Sequence, residues 1–330
     1  MTFTNHLTEY AGLPVLEYRS REAMAAGDGG AADPLAMLTA ARDPGAYAWR
    51  LADTDGREPA EGDFVLRYYE RFCSDVDPTA VTALVIGNLS DTMDVAEPEP
   101  VRDAVLACAP RWTALRSLFY ADLTSEEYEV SWLAHGDLSG ILDAVPSLER
   151  LDIRGTGELS LPVAEHLSLR SLTLQGGGLP AEPARQVMAS RYPALEHLEL
   201  WLGMENYGGG AAPEDLSPLL DGRVHTGVRS LGLRNAEYTD PWVRALADSP
   251  VLDRLEVLDL SLGTLTDEGA QVLLDTPGFR GLKRLNLEHH FMTKEMTGRV
   301  REAFCAAGVD IDVSGRVDAR RGYPYPAVGE

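Results

Sequence analysis

Apolar residues return along this chain in one spacing, L-x-x-L-x-L. The stretch LEVLDLSLGTLTDEGAQVLLDTPGFRGLKRLNL at 255–287 holds two copies with a helix-like segment between them. In the hexamer the last two apolar residues sit two apart, and strand alternation sends both to one buried side. The spacing recurs as VTALVI (81–86), LRSLFY (115–120), LERLDI (148–153), LRSLTL (169–174), LEHLEL (195–200), VRSLGL (228–233), LEVLDL (255–260) and LKRLNL (282–287). A reduced ninth copy, VDIDV, covers 309–313. The central positions are Leu84, Leu118, Leu151, Leu172, Leu198, Leu231, Leu258, Leu285 and Val309, spaced by 34, 33, 21, 26, 33, 27, 27 and 24 residues. Nine strands at such intervals describe stacked units, each burying a strand face and a helix face against its neighbours.

The connecting segments read as helices: 61–75, 98–110, 179–193, 239–250, 266–277 and 292–308. Thr266 or Asp267 is placed to satisfy free amides at a helix start. Pro110, Pro193, Pro250 and Pro277 end their helices. Ala270, Val272, Leu273 and Leu274 form the core side of one of them. Before the array, LPVLEY (13–18) and YAWRLA (47–52) read as strands, separated by AAGDGGAADP, and DTDG at 53–56 is a turn signal. A stacked array exposes apolar core at its end unless something covers it. Residues 1–75 are therefore expected to form a cap, a small antiparallel sheet plus a helix. The array proper runs over 76–313, and 314–330 is a tail.

These hexamers and helices resemble the leucine-rich repeat family, of the ribonuclease-inhibitor-like type. The resemblance also extends to bacterial leucine-rich proteins encoded near tailoring enzymes for modified peptides. It implies an α/β fold, a right-handed leucine-rich repeat solenoid (a horseshoe). Parallel strands line the concave face, helices form the convex face, and an N-terminal α+β cap closes one end. The family's regular Asn ladder under the turn is absent here, and Asn88 and Asn235 lie one position early. The resemblance assigns no catalytic residue.

Alternation makes the side opposite the leucines the candidate surface. It offers Arg150, Asp152 and Arg154, then Ser171, Thr173 and Gln175, then His197, Glu199 and Trp201. Ser230, Gly232 and Arg234 follow, with Val257, Asp259 and Ser261, Arg284, Asn286 and Glu288, and finally Asp310 and Asp312. Arg154, Glu199, Trp201, Arg234, Asp259, Glu288, Asp310 and Asp312 are the candidate partner-binding residues, with Trp201 as an exposed aromatic anchor. Asp259, projecting outward, is expected to matter little for stability. On the first two strands of the array this side is apolar (Ala83, Val85, Phe119), so the cap or an insertion covers it, or a partner does. Insertions at 123–140 and 203–227 disturb two connections; in the second, Tyr207 beside a glycine run suggests an anchor on a mobile loop.

Charge narrows the partner. The chain of 330 residues carries 52 acidic side chains against 29 Lys and Arg, a formal charge of -23. That balance disfavours nucleic acid and anionic membrane and favours a protein or peptide with a basic patch. No apolar run reaches membrane-spanning length, and the first residues lack a secretory pattern, so a cytoplasmic protein is expected. Cys73, Cys108 and Cys305 lie far apart in sequence and form no disulfide framework or metal spacing.

Chemistry finds little support. There is no nucleophile elbow, phosphate loop or zinc-protease motif. The run QGGGLP (175–180) is followed by Pro183 and Glu182, which remove an amide and add negative charge, so it reads as a repeat-edge turn. His197 with Glu199, and Glu288 with His290, lie three repeats apart, about 14 Å at 4.8 Å per strand, too far to share an ion. No cofactor is implied. The leading expectation is a non-enzymatic binding scaffold. The alternatives are an accessory or maturation factor for a modified-peptide biosynthetic system, or an enzyme of unknown reaction.

Overall fold

The computed structural model describes residues 3–20, 34–52, 64–89, 99–163, 165–318 and 323–329. The stretch preceding Pro34 and the DTDG turn lie outside these. The chain divides into two compact units, one ending at Leu169 and the other beginning at Arg170.

In the first unit the strands are β1 (Glu9–Tyr10), β2 (Leu13–Glu17), β3 (Ala48–Leu51), β4 (Ala83–Ile86), β5 (Ser117–Tyr120) and β6 (Arg150–Arg154). Each pairs with its sequence neighbours. β1–β2 is an antiparallel hairpin and every later pair is parallel. This corrects the small antiparallel sheet expected before residue 75. Leu16 faces Trp49 and Trp49 faces Leu84, so β2 and β3 extend the same in-register ladder as Leu84, Leu118 and Leu151. Trp49 takes the leucine position, is fully buried, and donates its indole N–H to the Pro44 carbonyl at 2.9 Å. The helices include α1 (Pro34–Ala40), α2 (Phe64–Asp75), α3 (Glu99–Cys108) and α4 (Ser139–Ala144). α2 follows the Phe-Tyr periodicity rather than the local strand propensity of FVLRYY, burying Val65, Tyr69, Phe72 and Cys73. Cys73 and Cys108, distant in sequence, meet in a thiol–thiol hydrogen bond.

The second unit holds β7 (Ser171–Gln175), β8 (His197–Gly203), β9 (Ser230–Ala236), β10 (Val257–Asp259), β11 (Arg284–Asn286) and β12 (Asp310–Asp312), all parallel and in sequence order. Leu172, Leu198, Leu231, Leu258 and Leu285 stand in one register and are fully buried. Removing each from water contributes on the order of 2 kcal/mol. The last rung is Ile311, paired with Leu285, so the final interval is 311 − 285 = 26 residues and Val309 is not the central position.

The helices α5 (Ala181–Ala189), α6 (Ser217–Leu220), α7 (Thr239–Ala247), α8 (Asp267–Asp275) and α9 (Lys294–Ala306) alternate with these strands. On α8, Ala270 and Leu273 are buried while Val272 and Leu274 are half-buried. Thr239, Thr266 and Thr293 recur every 27 residues at helix starts. The Thr266 hydroxyl accepts the Glu268 amide and bonds to Asp240 of the preceding helix. Thr293 repeats this with Met296 and Asp267. Each cap thus fixes its own helix and ties it to the previous repeat.

β9, β10 and β11 lead into left-handed bends. Asn235, Leu262 and His289 occupy equivalent positions with φ of 54°, 65° and 61°. Gly203 closes β8 at φ 64°, where a Cβ would meet the Gly177 carbonyl, and only glycine fits. The QGGGLP run is a turn at this edge, with Gly178 bridging to Gly203. Asn235 tolerates the conformation readily, whereas Leu262 and His289 adopt it at a cost.

Candidate functional site

The side of the strands opposite the leucines is a different environment in each unit. In the first unit it is covered from within. Residues 3–10 run across it, and Tyr10, Ala48, Ala83, Val85 and Phe119 form one apolar cluster with Leu7, Leu13 and Val15 around it. This is the apolar strand surface recognised in the sequence, and the chain's own first residues cover it. Tyr10 meets Phe119 edge to face at 5.7 Å and donates its hydroxyl to Asp152 at 2.9 Å.

Beneath this strap lies a buried ionic cluster. Asp122, fully buried, faces Arg50 at 3.3 Å and Arg154 at 3.2 Å, and accepts the Leu7 amide at 3.1 Å. Arg154, expected on the binding surface, is 4% exposed. Its guanidinium lies 4.0 Å from the Phe3 ring centre and donates to the Leu123 carbonyl at 2.7 Å. Burial lowers its pKa to about 10, against the pull of Asp122. Arg154 is therefore a strap-holding residue, because an apolar face covered by the chain brings its flanking charges inside with it.

In the second unit the corresponding face carries the other candidates, all brought together by strand register. Trp201 pairs with Arg234 across β8 and β9, and Glu199, Gly232, Asp259, Asn286 and Asp312 occupy one row. Trp201 is 5% exposed and does not stand as an open anchor. The Arg234 guanidinium lies over its ring at 4.8 Å, and its indole N–H donates to Glu199 at 2.7 Å. Arg234 also bonds Glu199 at 3.0 Å and Ser261 at 3.0 Å, and faces Asp259 at 3.5 Å. Asp259 accepts the Ser261 amide and the Asn286 side chain, each at 2.9 Å.

Accessibility grows toward β12. Side-chain exposure is 14% at Glu199, 18% at Arg234 and 21% at Asp259, but 57% at Arg284 and 77% at Asp310. Glu288 is half-buried, with its amide donating to Asn286. Asp312 accepts hydrogen bonds from the Ser314 hydroxyl and amide, which hold its carboxyl below the usual carboxylate range. His197 bonds Ser230 at 2.8 Å and approaches Glu199 at 3.9 Å. His290 is buried between the Val313 carbonyl and the Met292 amide, and desolvation pushes its pKa down. These are positions of structural histidines. Among the described residues no three His, Cys, Asp or Glu side chains are placed to hold a metal ion. No described helix is long and apolar enough to cross a membrane.

The 203–227 insertion is pinned rather than loose. The Tyr207 amide bonds Met204, Gly209 bonds Met204, and Gly210 bonds Leu179. With the Glu237–Trp242 segment it bounds a cleft of about 320 Å³ lined by Gly203, Glu205, Gly210, Glu237, Tyr238 and Trp242. Glu237 accepts the Glu205 amide across its mouth at 2.9 Å.

No protein-family model and no curated protein matches this chain. Among solved structures it is similar to a Bacteroides fragilis protein determined by the Northeast Structural Genomics Consortium. The two share 28% sequence identity at a TM-score of 0.72, over 82% of this chain and 76% of the other.

Proposed function

We propose that the chain is a leucine-rich repeat scaffold without catalytic activity, right-handed and capped at its first end by residues 1–75. Its concave strand face over residues 197–312 engages a protein or peptide carrying Lys or Arg. The observation that supports this most directly is the row Glu199, Gly232, Asp259, Asn286, Asp312, in register across five neighbouring strands. Carboxylates occupy alternate strands, hence about 9.6 Å apart at 4.8 Å per strand. A peptide in the polyproline II conformation advances about 3.1 Å per residue with three residues per turn, so basic residues three apart in sequence share one face and match that interval. Asp310 and Glu288 add negative potential at the edges, while Arg234 and Arg284 favour a patterned partner over any polycation. A cytoplasmic partner fits this reading.

The test is binding of two labelled peptides of identical composition, one with Lys at every third position and one with its lysines clustered. Measurements at about 20 and about 200 mM salt separate exposed electrostatics from the rest. The spaced peptide is expected to bind more tightly, and Asp259→Lys with Asp312→Lys to remove that preference at low salt. Equal binding of both peptides, or wild-type binding by the double variant, rejects this face as the site.

A further inference from the structure

The left-handed bends at the ends of β9, β10 and β11 present a second surface, and residues 325–329 of the chain lie along it. Asn235 is fully buried, and its side-chain amide closes a two-way contact with one residue's backbone. Oδ1 accepts the Val328 amide at 2.9 Å, and Nδ2 donates to the Val328 carbonyl at 2.6 Å. Nδ2 has a longer contact, 3.5 Å, to the Gly176 carbonyl. One strand further, the Leu262 carbonyl accepts the Ala327 amide at 2.7 Å. At the next, His289 donates through Nε2 to the Tyr325 carbonyl at 3.1 Å. Successive bends thus hold successive residues of the segment through its backbone.

Side chains of that segment are held as well. Val328 is 2% exposed, Pro326 is buried, and the Tyr325 ring packs edge to face on Phe291 at 5.7 Å. Tyr323, just before, is 78% exposed. Hydrogen bonds to the backbone accept peptides of varied sequence, and side-chain pockets add selectivity.

We propose that the edge formed by Asn235, Leu262 and His289 is a peptide-binding groove, distinct from the acidic strand face, and that residues 325–329 are its intramolecular ligand. The external ligand is a segment of a partner protein with a β-branched residue opposite Asn235 and an aromatic residue three positions earlier. The segment 325–329 competes with it at the high local concentration that tethering confers.

The full chain carrying Val328→Asp tests this, because a carboxylate cannot occupy the buried Val328 site unpaired. The probe is a labelled peptide of residues 323–330, Tyr-Pro-Tyr-Pro-Ala-Val-Gly-Glu, followed by fluorescence polarisation. Val328→Asp is expected to bind it saturably at one site, about tenfold or more tighter than wild type does. Adding Asn235→Ala is expected to abolish that gain, and a peptide with Asp in place of Val is expected not to bind. A folded Val328→Asp chain that ignores the peptide overturns the proposal, as does one whose binding survives Asn235→Ala. Hydrogen exchange on wild type covers a variant that does not fold. The Val328 amide is expected to exchange about a hundredfold faster than those of Leu231 and Leu258, through local release. Exchange as slow as theirs makes 325–329 an inseparable part of the fold and overturns the groove assignment.

Discussion

Asp122→Ala is the substitution that most sharply tests how the first unit is closed. The carboxylate is fully buried between Arg50 and Arg154, whose side chains are 4% and 5% exposed, so solvent does little to screen either contact. Removing it takes away the carboxylate that two buried guanidiniums share, while Arg50 retains a longer contact to Glu17 at 3.9 Å. Arg154 keeps the Leu123 carbonyl, and Arg50 keeps the backbone carbonyl of residue 122. Breaking a buried ion pair from one side costs about 3–5 kcal/mol, and the Leu7 amide loses its acceptor for about 1 kcal/mol more. A total near 4 kcal/mol follows once partial relaxation of the strap is allowed. Urea unfolding followed by tryptophan fluorescence reads this loss, since Trp49 and Trp112 are buried in this unit. Hydrogen exchange at Leu7 gives an independent reading, because the strap and the cluster should fail together. A loss below about 1 kcal/mol, or a Leu7 amide still protected, refutes the idea that Asp122 clamps the strap.

Acid should weaken the same unit through His135, which is buried against the Arg154 carbonyl at 2.7 Å and whose pKa desolvation pushes down to about 4. The folded state keeps this imidazole neutral, so the stability it protects is present above the ordinary value of 6.5 and is lost as pH falls from 6.5 towards 4. The drop from 6.5 to about 4 corresponds to about 3 kcal/mol, and His135→Gln should flatten the unfolding free energy across that window. Leu258→Ala empties a fully buried rung and is expected to cost about 2–5 kcal/mol in denaturant unfolding, with wild-type stability contradicting the strand face. Asp259→Ala, innocuous by alternation alone, is expected to cost about 1–2 kcal/mol because it strips acceptors from Asn286 and the Ser261 amide; a neutral result makes that network incidental.

The strands were legible because L-x-x-L-x-L forces one answer: two apolar residues two apart, repeated with a helix between, have only one buried side. The side facing away was legible for the same reason, and strand register does gather Glu199, Trp201, Arg234 and Asp259. What covers that side was not legible. The residue that closes over Trp201 comes 33 positions later, and nothing local in ELWLG announces Arg234 as its lid. The first strands are legible as strands but fall outside the repeat pattern, because Trp49 stands where the pattern has leucine. Val309 was mistaken for a rung because VDIDV has no leucine to fix its register. The caps left a readable signal, threonine at 266 and 293, that a search confined to apolar positions passes over. The docking of residues 325–329 left none, since contacts made through the backbone do not depend on which side chains are written in the sequence.

This division between side-chain and backbone recognition bears on how the second unit binds anything tightly. Its acidic face is already partly neutralised by its own arginines, so an incoming lysine must share or displace Arg234 or Arg284. Exposed ion pairs such as Arg284 with Asp310 return only about 0–1 kcal/mol each. The net charge of -23 raises the encounter rate of a basic partner more than it raises affinity. Affinity must therefore come from contacts that exclude water, and on the acidic face the natural aromatic anchor, Trp201, is committed to Arg234 and Glu199. The loop edge has what that face lacks: a buried side-chain amide, a carbonyl acceptor and side-chain pockets already shaped around a segment of chain. A partner that used both surfaces would gain selectivity from the carboxylate row and residence time from the edge. For such a partner, charge reversal on the face would slow association while Asn235→Ala would speed dissociation, so stopped-flow kinetics assigns each surface its share.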